Sequence, residues 1–178
     1  MVLFITGGSG SGKSEYAEMR SVELKKKQRE LKLTYLATMK PMDEESKKRV
    51  LRHRKMRENK EFTTLECYTH LEKIQIENRE IVLLECLSNL VANEMFSPKG
   101  RTHQVVPVIK EGITHLINHC KDVIIVGNNV FEDGMDYDEM TKSYVREMAQ
   151  LHCFLGEQAD EVIEVVCGIP IFWKGEKK

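Results

Sequence analysis

The 178 residues predict one α/β domain, a mostly parallel sheet with helices on both faces. Three observations carry this reading. Five short runs are continuously apolar and rich in β-branched residues, as strands buried on both faces must be. Longer stretches of helix-forming residues alternate with them, and glycine, proline and polar clusters punctuate the joins. The length favours one core over two. With 41% hydrophobic and 31% charged residues the composition is that of a globular chain, not a disordered one.

In order, Val2 to Ile5 is the first strand, an apolar run that ends in a glycine-rich segment. Lys13 to Leu31, dense in Glu, Lys, Arg and Leu, is the first helix. Leu33 to Leu36 is the second strand, closed by the loop at Pro41. Asp43 to Arg57 is a strongly charged helix. Ile81 to Leu84 is the third strand and Leu87 to Phe96 its helix, stopped by Pro98 and Gly100. Val106 to Cys120 leads to the strand Val123 to Val126, and Gly127 to Gly134 forms the next loop. Asp138 to Gln158 is the last helix and Val162 to Val166 the last strand. Ligands of open parallel sheets bind beyond the carboxyl ends of the strands. Attention therefore falls on 6–14, 37–40, 85–89, 127–134 and 167–170.

Net charge is −1, so the whole molecule has no electrostatic reason to coat nucleic acid or an anionic membrane. No apolar run reaches the ~18 residues of a membrane span, and no leader peptide is expected. The five cysteines are odd in number and include no Cys-x-x-Cys pair, which speaks against a zinc site or a disulfide framework and for a reducing cytoplasm.

Directly after the first strand stands Gly7-Gly8-Ser9-Gly10-Ser11-Gly12-Lys13-Ser14, a complete Gly-x-x-x-x-Gly-Lys-Ser phosphate loop opening a helix. Its glycines let successive N–H groups point inward, and the helix N-terminus adds partial positive charge. Lys13 reaches the β- and γ-phosphates, and Ser14 offers a hydroxyl to Mg²⁺. The pattern predicts a nucleoside triphosphate site. Glu85, ending the run Ile81 to Leu84, is the expected carboxylate on the metal side.

The segment from Lys47 to Lys60 carries eight basic residues against the single acid Glu58, a local +7. On a helix, Arg49, His53 and Arg57 share one face at i, i+4 and i+8, with Arg52 and Arg54 beside the histidine. So few apolar residues leave the helix largely exposed. A merely solvated helix would interleave acids, so the cluster reads as a phosphate clamp. Positive neighbours disfavour the imidazolium, and a neutral His53 could attack an α-phosphorus. His115 and His119 have ligand-like spacing without a third partner and read as helix surface; His70, His103 and His152 are isolated.

These residues resemble the bifunctional adenosylcobinamide kinase / adenosylcobinamide-phosphate guanylyltransferases of cobalamin biosynthesis. The likeness runs through Ile5 to Ser14, Tyr35 to Thr38, Arg49 to Arg54 with Arg57, Thr64 to Glu66, Leu83 to Leu87, Val126 to Asn128, and Ala159 through Pro170. It implies a RecA-like fold, ATP and GTP as substrates with Mg²⁺, a corrinoid partner and a homotrimer. It also implies two reactions, phosphorylation of the corrinoid's aminopropanol hydroxyl and transfer of GMP from GTP through a GMP-His53 intermediate. Nucleotide contacts carried over by motif are Gly7 to Ser14 (Gly7, Gly8, Ser9, Gly10, Ser11, Gly12, Lys13, Ser14), Ala37, Thr38, Met39, Arg54, Lys55, Met56, Arg57, Glu66 and Glu85. The chain departs from the family pattern at Glu58, Phe62 and Asn129 and in the acidic loop 131–138. The competing readings are a P-loop small-molecule kinase whose His53 is never modified, and a nucleotide-gated RNA-binding module. The net charge and the absence of interleaved aromatics oppose the second.

Overall fold

In chain order the elements are β1 (Val2–Thr6), α1 (Lys13–Lys27), β2 (Lys32–Ala37), α2 (Glu44–Arg57), β3 (Thr63–Glu66), a 3₁₀ turn (Leu71–Lys73), β4 (Glu80–Leu84), α3 (Leu87–Phe96), α4 (Val105–His119), β5 (Asp122–Val126), α5 (Glu139–Gln158), β6 (Glu161–Val166) and β7 (Ile169–Lys174). They come from a computed structural model that describes residues 1–41, 43–77, 79–101, 104–131 and 134–175, without the side chains of Glu45, Arg49, His53 and Met56.

The strands form one seven-stranded sheet of order β3-β2-β4-β5-β1-β6-β7, parallel except for β7. The continuous apolar runs are explained by its two covered faces. Val2, Phe4, Val82 and Leu84 point into a core built with α3, α4 and α5. Their neighbours Leu3, Ile5, Ile81 and Leu83 enter a second core on the α1 side. Side chains alternate across a strand, so two buried faces require apolar residues at every position.

Two strands lie outside the apolar runs. All four residues of β3 are exposed; it exists because its backbone pairs with β2, Thr34 opposite Thr63 through Ala37 opposite Glu66. β7 returns antiparallel to β6. The segment 167–170, expected to border a ligand, begins this return and lies against the phosphate loop, with Cys167 at the rim of a groove beside it. Cys167 (φ 50°) and Gly168 (φ 81°) form a tight turn with two left-handed residues, the geometry that hairpins prefer. Pro170, which has no N–H to give, is tolerated because β7 is an edge strand. α1 ends at Lys27, short of Leu31, where Gln28 leaves helical torsions (φ −135°, ψ 66°) and its N–H donates to the Leu24 and Lys25 carbonyls, with three lysines favouring the C-terminal end of the helix dipole. Leu31 then turns into the core.

α2 is exposed along most of its length, as expected, with Leu51 63% accessible. Its N-terminus is fixed by a capping box: the Ser46 N–H donates to the Asp43 carboxylate and the Asp43 N–H to the Ser46 hydroxyl. Among the described residues, no helix is long and apolar enough to cross a membrane.

His152 on α5 packs edge-on against Phe4 and Phe131, with ring centroids 4.9 and 5.1 Å away, and its Nε2 has no hydrogen-bond partner. Burial lowers its pKa from 6.5 to about 4. The unfolded chain therefore binds a proton that the folded chain refuses across that interval. Stability is full above pH 6.5 and is lost as the pH falls towards 4, with about 2 kcal/mol gone between pH 7 and pH 5. Urea unfolding of His152→Leu at the two pH values should show that much less pH dependence than the parent; an unchanged difference would remove His152 as its source.

Candidate active site

The phosphate loop is shaped by glycine at the places where the backbone leaves ordinary torsions. Gly7 has φ 153°, and a Cβ there would stand 2.5 Å from the Val165 carbonyl oxygen, so the loop could not lie against β6 with any other residue. Gly12, left-handed at φ 91°, turns the chain into α1. Lys13 follows, only 8% exposed, its Nζ donating to the Gly8 carbonyl at 2.9 Å across the loop. The Ser11 hydroxyl is buried without a hydrogen-bond partner. A buried donor left unsatisfied within the phosphate loop suits an anionic oxygen.

Because β1, β4 and β5 are neighbours, the loop, Glu85 and Asn128 meet. They line a cleft of about 440 Å³ that takes in Ser9 to Glu15, Met39, Arg52, Glu85, Cys86, Asn89, Val126 and Asn128. Ser14 and Glu85, expected to hold a metal, thus face one space. A hydroxyl and one carboxylate, with nucleotide phosphates to complete the shell, fit Mg²⁺, which takes few protein ligands. Among the described residues no cluster of three or more His, Cys, Asp or Glu could hold a metal, which leaves no competing all-protein site.

A second, narrow cleft adjoins this one through Met39 and Glu85, and is also lined by Tyr35, Ala37, Pro41, Val50, Arg54, Arg57, Thr64, Glu66 and Tyr68. Here the structure adds what the charge run could not reveal. Arg57 is 7% exposed, with its guanidinium carbon 3.4 Å from the centre of the Tyr35 ring and one terminal nitrogen lacking a hydrogen-bond partner. A cation–π contact thus anchors the end of α2. Burial first, and then the Glu85 carboxylate, push the Tyr35 hydroxyl well above its usual pKa, so it stays protonated and donates to Glu85. Burial and a hydrogen bond to Glu66 raise Tyr68 likewise. Arg54 stands 3.7 Å from Glu66, both more than half exposed, a pair that contributes little to stability.

The expected residues divide accordingly. Ala37 and Met39 line the clefts, whereas Thr38 is fully buried; its hydroxyl donates to the Cys86 carbonyl and its own carbonyl accepts from Asn93, so its side chain braces the strand ends that present Glu85. Lys55 is exposed and lines neither cleft. His53 lies within α2, and its side chain, like that of Met56, is outside the described residues. Tyr35, Tyr68, Asn89 and Arg52 were absent from the expected contacts. Arg52 had a signal in its place in the basic run, Asn89 in the strand-end segment 85–89 and Tyr35 in the family-matching stretch, whereas Tyr68 had none. His115 and His119 stack at 4.3 Å on α4, with His115 Nε2 against the Ile74 carbonyl, an ordinary helix surface.

A further cavity of about 530 Å³ lies on the far side of Glu66 and Tyr68, and Lys40, Lys73, Lys99 and His70 also line it. Its walls are pinned by the fully buried Glu94 carboxylate, which accepts the N–H groups of His70 and Arg101.

A phosphate loop, a strand-end carboxylate and an arginine-rich helix meeting over one sheet are parts of a nucleotide-using enzyme. The model of the family cobinamide kinase / cobinamide phosphate guanyltransferase matches residues 3–172. The chain belongs to this family. Its relatives include the bifunctional adenosylcobalamin biosynthesis protein CobU of Escherichia coli K12, 28% identical over 96% of this chain and 98% of that protein. Another is the bifunctional adenosylcobalamin biosynthesis protein CobP of Pseudomonas aeruginosa PAO1, 27% identical over 97% and 96%. Among solved structures, an ATPase domain superposes with a TM-score of 0.52 at 12% identity, covering 92% of this chain and 68% of that one, a likeness of fold. As a member of the cobinamide kinase / guanyltransferase family the chain is an enzyme of cobalamin biosynthesis.

Proposed function

We propose that this protein catalyses both reactions in sequence. The aminopropanol hydroxyl of adenosylcobinamide attacks the γ-phosphorus of ATP or GTP held in the phosphate loop and releases the nucleoside diphosphate. His53 then attacks the α-phosphorus of GTP, the bond to the β-phosphate breaks and pyrophosphate leaves. The corrinoid phosphate displaces the histidine and carries GMP away. One observation supports this reading above the others: α2 borders both clefts, with Arg52 in the phosphate-loop cleft and Arg54 and Arg57 in the narrow one, and His53 stands between them in the helix.

Each side chain has a task. Lys13, the loop N–H groups and Ser11 bind phosphate oxygens, and the buried Arg57, with one terminal nitrogen unpartnered, offers donors to a phosphate or to departing pyrophosphate. Glu66 and Tyr68 present acceptor and donor groups to guanine or ribose. Ser14 and Glu85 would hold Mg²⁺, which supplies charge neutralisation at the phosphates. The family resemblance supports a homotrimer acting in the cytoplasm.

Incubation of adenosylcobinamide with GTP and Mg²⁺ should yield first its phosphate and then its GDP derivative, separated by mass. A chain that stops at the phosphate and never carries GMP is the plain kinase. A second test separates the two acids. Glu85→Gln should lose activity that raised Mg²⁺ partly restores, whereas Glu66→Gln should weaken GTP or alter base preference with little metal dependence. Identical Mg²⁺ titrations of the two variants would contradict these roles.

A further inference from the structure

The phosphate loop is open on two sides. On one, Lys13, Ser14 and Glu85 converge above β4, β5 and β1. Cation, hydroxyl and carboxylate are what the β- and γ-phosphates and their metal require, so this side takes the reacting end of a triphosphate. A triphosphate held with its γ end there must carry its nucleoside out of the loop elsewhere.

The other open side is a groove of about 500 Å³ over β1 and β6, lined by Gly8 to Ser11, Asn129, Val130 and Glu164 to Cys167. Among the described residues none that lines it is a Lys or Arg. Val130, Val165 and Val166 offer apolar walls to a planar ring, and the Glu164 carboxylate and Asn129 amide offer partners to the N–H groups of a base. The groove is bolted to the loop. The Asn129 N–H donates to the Gly7 carbonyl at 3.0 Å, the Gly168 N–H to the Ser11 carbonyl at 2.8 Å, and Trp173 Nε1 holds Glu164 at 3.1 Å. Such a wall is pre-formed, which lowers the ordering cost of binding. The narrow cleft of Arg54, Arg57 and Glu66 lies over β2 and β3, towards the opposite edge of the sheet.

Resting on the two-step function above, we propose that the enzyme has two nucleoside subsites on opposite sides of the phosphate loop. The phosphoryl donor places its nucleoside in the β6 groove of Asn129, Val130, Glu164 and Cys167, while the guanosine destined for transfer occupies the α2 side.

Cys167 makes this testable. It is exposed at the rim of the groove, and Cys153, exposed on α5, is an internal reference. The other thiols stay unreactive near neutral pH, because burial pushes Cys67 up to about 11 and Cys120 up to about 12 and raises Cys86 as well. The rate of iodoacetamide alkylation at each cysteine can be followed by peptide mass analysis. The β,γ-imido analogue of ATP with Mg²⁺, at ten times the Kd measured by calorimetry, should slow Cys167 about tenfold. Inorganic tripolyphosphate at equal saturation, which fills the loop without a nucleoside, should leave Cys167 unchanged, and neither should affect Cys153. If the analogue binds and Cys167 reacts at its free rate, the groove is not the nucleoside subsite, although the two-step function stands. Equal protection by tripolyphosphate would likewise overturn the proposal, since loop closure would then be the cause. If neither this analogue nor the β,γ-imido analogue of GTP binds the parent protein, the two-step function falls and this proposal with it.

Discussion

GTP and Mg²⁺ added without a corrinoid acceptor should raise the intact mass of the protein by one GMP, and His53→Ala or His53→Asn should abolish that gain. The basis is the place of His53 in the arginine-rich helix. Arg52, Arg54 and Arg57 on the same helix border the two clefts, where their guanidinium groups are placed to hold a triphosphate and departing pyrophosphate beside the proposed nucleophile. Loss of a covalent nucleophile should reduce GMP transfer by about 10⁴-fold or more. A phosphoramidate to imidazole is labile in acid and survives base, so acid treatment should remove the adduct. Nucleotide binding at the loop and corrinoid phosphorylation should persist in the variants, since Lys13 and its glycines stand on another segment. Label from α-phosphate-labelled GTP that still attaches to His53→Ala, or never attaches to the parent, would leave the plain kinase in place of the two-step enzyme.

Lys13→Ala should lower kinase turnover by at least about 10²-fold and weaken nucleotide binding with it. In the structure the Lys13 ammonium donates to the Gly8 carbonyl inside the loop. Entry of a triphosphate exchanges that neutral acceptor for charged oxygens, and the stronger charge-assisted bonds help to bind the nucleotide. Turnover measured with saturating corrinoid, together with calorimetry of the nucleotide, checks both halves. Unchanged turnover in Lys13→Ala would take the phosphate loop out of the mechanism.

The central strands and the phosphate loop were legible in the sequence because their chemistry is local. A strand buried on both faces must be apolar at every residue, and the apolar runs of β1, β4 and β5 are. A loop that wraps phosphate must have glycine where φ turns positive, as at Gly7, Gly10 and Gly12. The family resemblance rested on the same contiguous stretches. β3 was not legible, because an exposed strand paired through its backbone carries no apolar signature, and the return of β7 hid behind a turn that read as a loop.

The sequence by itself determined that a nucleotide-binding loop, a strand-end carboxylate and an arginine-rich helix exist. Tertiary structure alone decided what they face. The order β3-β2-β4-β5-β1-β6-β7 sets Glu85 opposite Ser14 across a common cleft, and brings Tyr35 beneath Arg57 from a segment twenty-two residues earlier. It also lays the β6–β7 turn against the outer edge of the phosphate loop. Strand order depends on long-range pairing and on which helix covers which face, and these follow from burial summed over the whole sheet, not from any local run of residues.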